Sequence, residues 1–192
     1  MNETIKIVGE EVLADNWAVL KNTTFEVTRR DGSRQTLHRE TYDHGNAAAL
    51  LLCDRQRRMV VLTRQFRFPA HLNGDPAWLV EVCAGLLDGD TPETCARREA
   101  EEETGYRPTT VTHVFDAYMS PGSLTEKVSC FLGDYDAAAK ISAGGGLHEE
   151  GEDIEVMEIP FTAAIAMIAS GEIIDGKTIM LLQHAALTGY FG

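Results

Sequence analysis

The segment from Ala84 to Tyr106 reads AGLLDGDTPETCARREAEEETGY. Its punctuation predicts a loop, a helix and a second loop. Thr91 suits the N-cap, where a hydroxyl accepts from a free backbone N–H; Pro92 suits the first helical position and Gly105 the C-terminal cap. On a helix advancing about 100° per residue, Glu99, Glu102 and Glu103 share one face, at i, i+3 and i+4 spacing. Three carboxylates on one turn repel each other and weaken the helix unless something positive sits among them. Hard divalent cations such as Mg²⁺ want an oxygen cluster of that kind. Taken alone, the run also reads as a solvated acidic helix face. The flanking sequence decides between the two.

Composition sets the outer bounds. At 192 residues, with 44% hydrophobic and 24% charged residues, the chain reads as an ordinary globular protein: one domain with a sizeable core and an appended N-terminal piece. A formal charge of −13 argues against nucleic acid as a partner, because phosphate contacts need clustered Lys and Arg. If the substrate is itself a phosphate, a cation must supply the missing positive charge. Cys53, Cys83, Cys95 and Cys130 form no C-x-x-C pair and read as reduced, mostly buried thiols in a cytoplasmic protein. The first ten residues, MNETIKIVGE, show no basic region followed by an apolar run, so no signal peptide is expected. Nor is a membrane span expected, since no apolar run is long enough.

The first 43 residues read as β-structure standing apart from the core. Trp17 to Arg30 and Ser33 to Asp43 flank Asp31-Gly32, a hairpin turn signal. The apolar runs Ala47 to Cys53 and Met59 to Phe68 suggest central strands, and Trp78 to Ala84 a further short strand. Val111 to Tyr118, Lys127 to Tyr135 and Ile154 to Ile159 read as strands, Phe161 to Ala169 and Lys177 to Leu187 as helices. Gly144-Gly145-Gly146 reads as a flexible loop before an acidic stretch, LHEEGEDIEV. The sum is an α+β fold, a mixed sheet between helices, with an N-terminal β-hairpin unit over residues 1–43 and a main domain over 44–192. Strand order does not follow from these patterns.

The helix and its flanks resemble the Nudix box, G-x5-E-x7-R-E-U-x-E-E-x-G-U, where U is a bulky apolar residue. Arg98, Glu99, Ala100, Glu102, Glu103, Gly105 and Tyr106 fit its second half, with Ala100 small for its slot. The first half departs: only four residues separate Gly85 from the next matching acid, and that acid is Asp90. SPGSLTE (Ser120 to Glu126), with Pro121 15 residues after Tyr106, is similar to the ADP-ribose and nucleoside-diphosphate-sugar branch of the superfamily. DNW at Asp15, RETYDHGN at Arg39, RQFR at Arg64, AGGG at Ala143, EDIEV at Glu152 and GEIIDGKT at Gly171 resemble the bacterial GDP-mannose-hydrolysing group within that branch.

The resemblance implies a Nudix-type α/β/α sandwich and a homodimer whose N-terminal units exchange, each active site borrowing residues from its neighbour. It implies a metal site on the carbonyl of Ala84 and the carboxylates of Glu99, Glu103 and Glu152, with Glu102 behind them. It implies a nucleotide-sugar pocket on Trp17, on His38, Arg39 and Glu40 of the partner subunit, and on Arg67, Gly85, Leu86, Glu126 and Lys177. The metal and catalytic residues Ala84, Glu103 and Glu152 belong to that pocket too. His38 stands where Lys is expected, and Glu152 is chosen over Glu149 and Glu150 in a loop with two extra residues. Each has a plainer reading: Trp17 as packing, Arg67 as a surface ion pair.

The implied chemistry is Mg²⁺-dependent hydrolysis, with Mn²⁺ as the other candidate ion, of a nucleoside diphosphate sugar. GDP-mannose, giving GMP and mannose 1-phosphate, comes first. The metal offsets phosphate charge and lowers the pKa of a bound water; Glu152 orients or deprotonates that water, with Glu103 as the second catalytic acid; Arg67 clamps phosphate oxygens. The alternatives are an ADP-ribose pyrophosphatase and a catalytically silent nucleotide-sugar-binding protein.

Overall fold

Between Leu50 and Leu52 the chain has three consecutive leucines, none exposed at all. A strand whose alternate residues are buried on both sides needs cover on both faces, and the rest of the fold supplies it. The structure, a computed structural model, describes residues 5 to 192, apart from the side chains of Ala139 and Glu150. Met1 to Thr4, the start of the predicted N-terminal unit, lie outside the described residues. The chain divides into two compact units, one holding residues up to Asn46 together with Tyr118–Lys127, the other Ala47–Ala117 with Val128–Gly192.

The first unit is a three-stranded antiparallel sheet, β1 (Lys6–Asp15), β2 (Val19–Thr28) and β3 (Arg34–Asp43), in that order. The expected turn lies between β2 and β3. Gly32 takes φ 82°, Arg29 N donates to Ser33 O at 2.7 Å, and Asp31 Oδ1 accepts from Ser33 N at 2.9 Å. Register runs unbroken from Val19↔Asp43 to Thr28↔Arg34. The hairpin gains a strand that sequence patterning did not delimit. Irregularities at Ile7/Gly9 and Val12/Ala14 break the period-two alternation of β1, which is the signal a strand is read from. The segment from Tyr118 to Lys127 joins this unit: Tyr42 N donates to Ser123 O at 2.9 Å and the Thr125 hydroxyl to Asp43 Oδ1 at 2.8 Å.

The second unit follows the order β4 (Ala47–Asp54), β5 (Met59–Phe66), α1 (Phe68–Leu72), β6 (Trp78–Glu81), β7 (Cys83–Leu86), α2 (Pro92–Glu99), β8 (Thr112–Tyr118), β9 (Lys127–Asp134), β10 (Glu155–Pro160), α3 (Phe161–Ser170) and α4 (Gly176–Leu187). The sheet order is β10-β5-β4-β9-β8, with β6 also on β5 and β7 also on β4. β4 runs parallel to β9 and antiparallel to β5, so the sheet is mixed, as expected. Ala48, Leu50 and Leu52 pack with Cys95, Ala96 and Ala100 of the acidic helix. The intervening residues Ala49, Leu51 and Cys53 point the other way and are equally buried, and α4 packs on β4. Helices therefore cover both faces. At roughly 1.5–3 kcal/mol per fully buried Leu, these positions are a main source of stability.

The predicted strand Trp78 to Ala84 is two strands. β4 and β5 pair only from Leu52↔Val61 to Asp54↔Met59 and then part. β6 pairs along β5 on one side and β7 along β4 on the other. Val82, between them, gives its N–H to Thr178 Oγ1 of α4 at 2.8 Å, so the backbone leaves one ladder for the next with its donor satisfied. The site forms where the sheet opens.

Candidate active site

The acidic helix begins as its sequence dictates: Thr91 Oγ1 accepts from Thr94 N at 3.3 Å, Pro92 follows, and Gly105 closes the run at φ 75°. Its interior differs from expectation. α-Helical bonding ends at Glu99, and Ala100–Thr104 form a π-helical turn. The i→i+5 geometry of such a turn still leaves the acids within reach of one another: Glu99 feels the charge of Glu102, and Glu103 that of Glu99. Glu102 stays half-buried and pairs with Arg98 at 3.1 Å, which also holds Glu99 at 2.8 Å and Asp90 at 3.3 Å. Arg98 is thus the positive charge among the acids. Glu103 turns inward, 1% exposed, and its Oε2 is buried without a hydrogen-bond partner among the described residues.

Burial dominates the electrostatics here. Desolvation pushes the Glu99 carboxyl up to about 7, with Arg98 opposing and Glu102 and Glu152 adding repulsion. Glu103 is also pushed well up, by burial first and then by Glu99 and Glu152, with Arg67 pulling the other way. Gly85 lies close against the acidic helix, so that a Cβ there would overlap the Glu99 carboxylate. Ala84 and Leu86 flank it on β7, and Leu86 O accepts from Arg98 Nη2 at 3.3 Å.

The triple glycine is a docked loop, which corrects the expectation of a freely flexible one. Gly145 N donates to Glu103 O at 2.8 Å and Gly146 N to Glu102 O at 3.1 Å. These bonds satisfy carbonyls that the helix end would otherwise leave open. Gly144, at φ 72°, approaches so closely that a Cβ would overlap the backbone of Glu103 and Thr104. The loop returns Glu152 to the acids, whose charge both Glu99 and Glu103 feel, while its Oε2 accepts from Leu147 N at 2.7 Å. Glu149 is exposed, and the side chain of Glu150 lies outside the described residues.

Arg67 and Lys177 meet on a residue that sequence reading missed. Glu81, 1% exposed at the end of β6, accepts from Arg67 Nε at 2.8 Å, from Arg67 Nη2 at 3.0 Å and from Lys177 Nζ at 3.3 Å. Lys177 also reaches Asp175 Oδ1 at 2.7 Å, and Asp175 caps α4 through Thr178 N at 2.9 Å. Arg67 sits just past β5 rather than within it, at the N-cap of α1. The available signal was a single acid inside the otherwise apolar run WLVEVC.

Trp17, His38, Arg39, Glu40 and Glu126 belong to the first unit. Trp17 is 72% exposed, with its ring 5.3 Å from His44 and 6.3 Å from Tyr42. His38, Arg39 and Glu40 are exposed on β3, His38 Nδ1 lying 2.9 Å from Thr24 Oγ1 and Arg39 donating to His38 O at 2.7 Å. Glu126 is half-buried.

Among the described residues, no three His, Cys, Asp or Glu side chains are gathered into a ready-made metal cage. The donor set nevertheless suits a hard cation. Glu103 presents an unpartnered buried oxygen, Glu99 and Glu103 are buried like charges, and carboxylate oxygens are what such an ion takes.

A mixed sheet between helices, opened beside an acidic helix that a glycine loop caps, defines a Nudix-type domain, and the NUDIX domain profile matches residues 43–180. The chain belongs to the Nudix family. Residues 4–42 match the profile described as GDP-mannose pyrophosphatase NudK N-terminal domain. The chain is similar to the GDP-mannose pyrophosphatase of Pectobacterium atrosepticum, 49% identical over 192 residues, covering 100% of this chain and 98% of that one. The protein of that name from Cronobacter sakazakii is 46% identical over 190 residues, with 98% of each chain covered. A solved structure described as an ADP compounds hydrolase superposes with a TM-score of 0.73 at 15% identity, covering 97% of this chain and 96% of that one, and shares the fold.

Proposed function

We propose that this protein hydrolyses the pyrophosphate bond of a nucleoside diphosphate sugar, GDP-mannose before others, to GMP and mannose 1-phosphate. The observation that carries this reading is the pairing of opposites at the sheet opening. Glu103, with an oxygen unpartnered among the described residues, lies within electrostatic reach of Arg67, and Arg67 and Lys177 both keep a donor to spare behind Glu81. Full-length similarity to proteins named GDP-mannose pyrophosphatase supports the choice of substrate.

Glu99, Glu103, Glu152 and the Ala84 carbonyl would hold the divalent cation, Mg²⁺ by this proposal. When bound, it offsets the diphosphate charge and acidifies a water. The chain's own groups do the rest. Glu152, on a loop fixed to the helix end, orients the attacking water and accepts its proton. Glu103 faces the same reacting centre with a buried oxygen. Arg67 and Lys177 take phosphate oxygens, and the planar guanidinium fixes their direction. Gly85 and Leu86 border the diphosphate. Arg98 holds Glu99, Glu102 and Asp90 in place.

The N-terminal unit, residues 1–43, is the dimerisation element in this proposal. Trp17 stacks on the nucleotide base, His38, Arg39 and Glu40 serve the partner's site, and Glu126 faces the substrate. Exposed apolar residues on β1, among them Ile7, Val8 and Val12, support burial against a second copy. A cytoplasmic location belongs to the same reading and is supported by four buried, unpaired thiols.

A substrate panel tests it. GDP-mannose, ADP-ribose and ADP-glucose are each offered with Mg²⁺, and products are identified. The expected outcome is the highest kcat/KM on GDP-mannose with equal release of GMP and mannose 1-phosphate. A preference for ADP-ribose, or binding without turnover, overturns the assignment.

A further inference from the structure

Among the described residues Glu81 is the most deeply buried acid outside the proposed metal-binding set, and it is not isolated. Its two oxygens take three donors from cations far apart in sequence: Nε and Nη2 of Arg67, and Nζ of Lys177. Behind it the network closes on itself. Lys177 holds Asp175, Asp175 holds the Thr178 hydroxyl at 2.7 Å, and that hydroxyl takes the N–H of Val82, the residue after Glu81. The two cations and two carboxylates balance.

The arrangement has a front and a back. The Glu81 side chain is 2% exposed, whereas those of Lys177 and Arg67 are 17% and 40% exposed. Each cation also keeps a donor uncommitted among the described residues. Arg67 spends Nε and Nη2 on Glu81 and leaves Nη1; Lys177 spends two of its three N–H groups. Taking charges out of water is costly, and a buried ion cluster is a weak means of stabilising a fold. A carboxylate behind a half-exposed Arg67 and a mostly buried Lys177 serves instead to hold their head groups before an anion arrives, which removes the ordering cost from binding.

We propose that Glu81 is a positioning residue that pre-orients Arg67 and Lys177 for the diphosphate of the substrate. The role rests on the proposed function for the identity of that diphosphate, and on the ion-pair geometry for everything else. Glu81 makes no contact with substrate; it acts through the two cations. A carboxylate is required because it accepts from every side. Replacing one oxygen with an amide NH₂ would set donor against donor.

The experiment uses the full chain and inorganic pyrophosphate as the probe, its Kd measured by calorimetry, with KM and kcat on GDP-mannose alongside. Four proteins are compared: parent, Glu81→Gln, Arg67→Ala and the double variant. Glu81→Gln should raise both Kd and KM about tenfold or more with kcat within about threefold, the pattern of lost ground-state binding. In the Arg67→Ala background the same change should add less than about threefold, since contacts that act through one another are not additive. A purely structural role would lower Tm and leave the affinity of the folded protein unchanged. Parental pyrophosphate affinity in Glu81→Gln, affinity losses that simply add, or a parent that does not bind pyrophosphate overturns the positioning role. Absence of GDP-mannose turnover in a parent that binds pyrophosphate overturns the proposed function and leaves the positioning role standing. If circular dichroism shows Glu81→Gln unfolded, Glu81→Asp takes its place. It keeps the charge and shortens the reach, so the same rise in Kd is required, and a parental Kd overturns the proposal.

Discussion

Glu103 concentrates the residue-scale physics. It is buried, repelled by Glu99 and Glu152, and leaves one oxygen unpartnered among the described residues. Glu103→Gln should reduce turnover by roughly 10²-fold or more at saturating Mg²⁺, because an amide cannot supply the missing charge. Without metal it should melt higher than the parent, since it relieves a buried like charge. Near-parental activity in steady-state assays would dismiss Glu103 as a ligand. Asp175 behaves in the opposite sense. Burial raises its pKa, but Lys177 and the Thr178 hydrogen bonds outweigh burial and hold it below the ordinary carboxylate value. A depressed folded pKa gives stability that is present above the unfolded value, about pH 3.9, and is lost as pH falls through the lower folded one. Asp175→Asn should therefore cost about 1–2 kcal/mol at pH 7. The gap to the parent should close below about pH 4 in urea melts, and a pH-independent gap would contradict the charge-based account.

The glycine loop and the end of the acidic helix form one piece at the scale of elements. Gly144 meets two requirements at once, a left-handed backbone and near-contact with Glu103 and Thr104. Gly144→Ala should destabilise by roughly 1–2 kcal/mol from the left-handed conformation alone. It should also lower kcat, because lifting the loop moves Glu152 and removes caps from Glu102 and Glu103. Unchanged urea midpoint and kcat would show the loop to be independent of the helix. Within the same loop, Glu152→Gln should reduce kcat by about 10²-fold or more, as expected when a proton acceptor becomes an amide. Glu149→Gln, at an exposed position, should stay within about threefold. A reversal of these two would move the catalytic acid along the loop.

At the scale of the molecule, the proposed dimer makes the sharpest claim. If Arg39 serves the partner's site, inactive Arg39→Ala and inactive Glu103→Gln proteins mixed under subunit exchange should recover up to about a quarter of parental activity. That is the share expected when half the dimers are mixed and each holds one intact site of two. Verified mixed dimers with no recovered activity would show that each site is built from one chain. Deleting residues 1–43 should give an inactive or poorly soluble protein, because the apolar surface that this unit covers in the proposed dimer would be laid bare and Arg39 would be missing from the partner's site.

Local chemistry was legible in the sequence wherever the cause is local. The Thr91 cap, Pro92 at the first helical position, the Gly105 stop, the Asp31-Gly32 turn and the buried runs of β4 and β5 each follow from backbone preference or hydrophobic period, and the structure has them all. So does the mixed sheet between helices. Family membership was legible because Arg98 to Tyr106 keeps spacings that one helix can display. Tertiary structure decided what depends on residues distant in sequence. The strand from Trp78 divides because Thr178, on the last helix, takes the amide of Val82. The acidic helix turns to π geometry over Ala100–Thr104, which regular periodicity does not foretell. The glycine loop docks because open carbonyls at the helix end attract its N–H groups. Glu81 looked like one acid in an apolar strand until folding brought Arg67 from one side and Lys177 from the other. Capping and periodicity act between neighbours along the chain, whereas a buried charge gets its partners only when the fold closes.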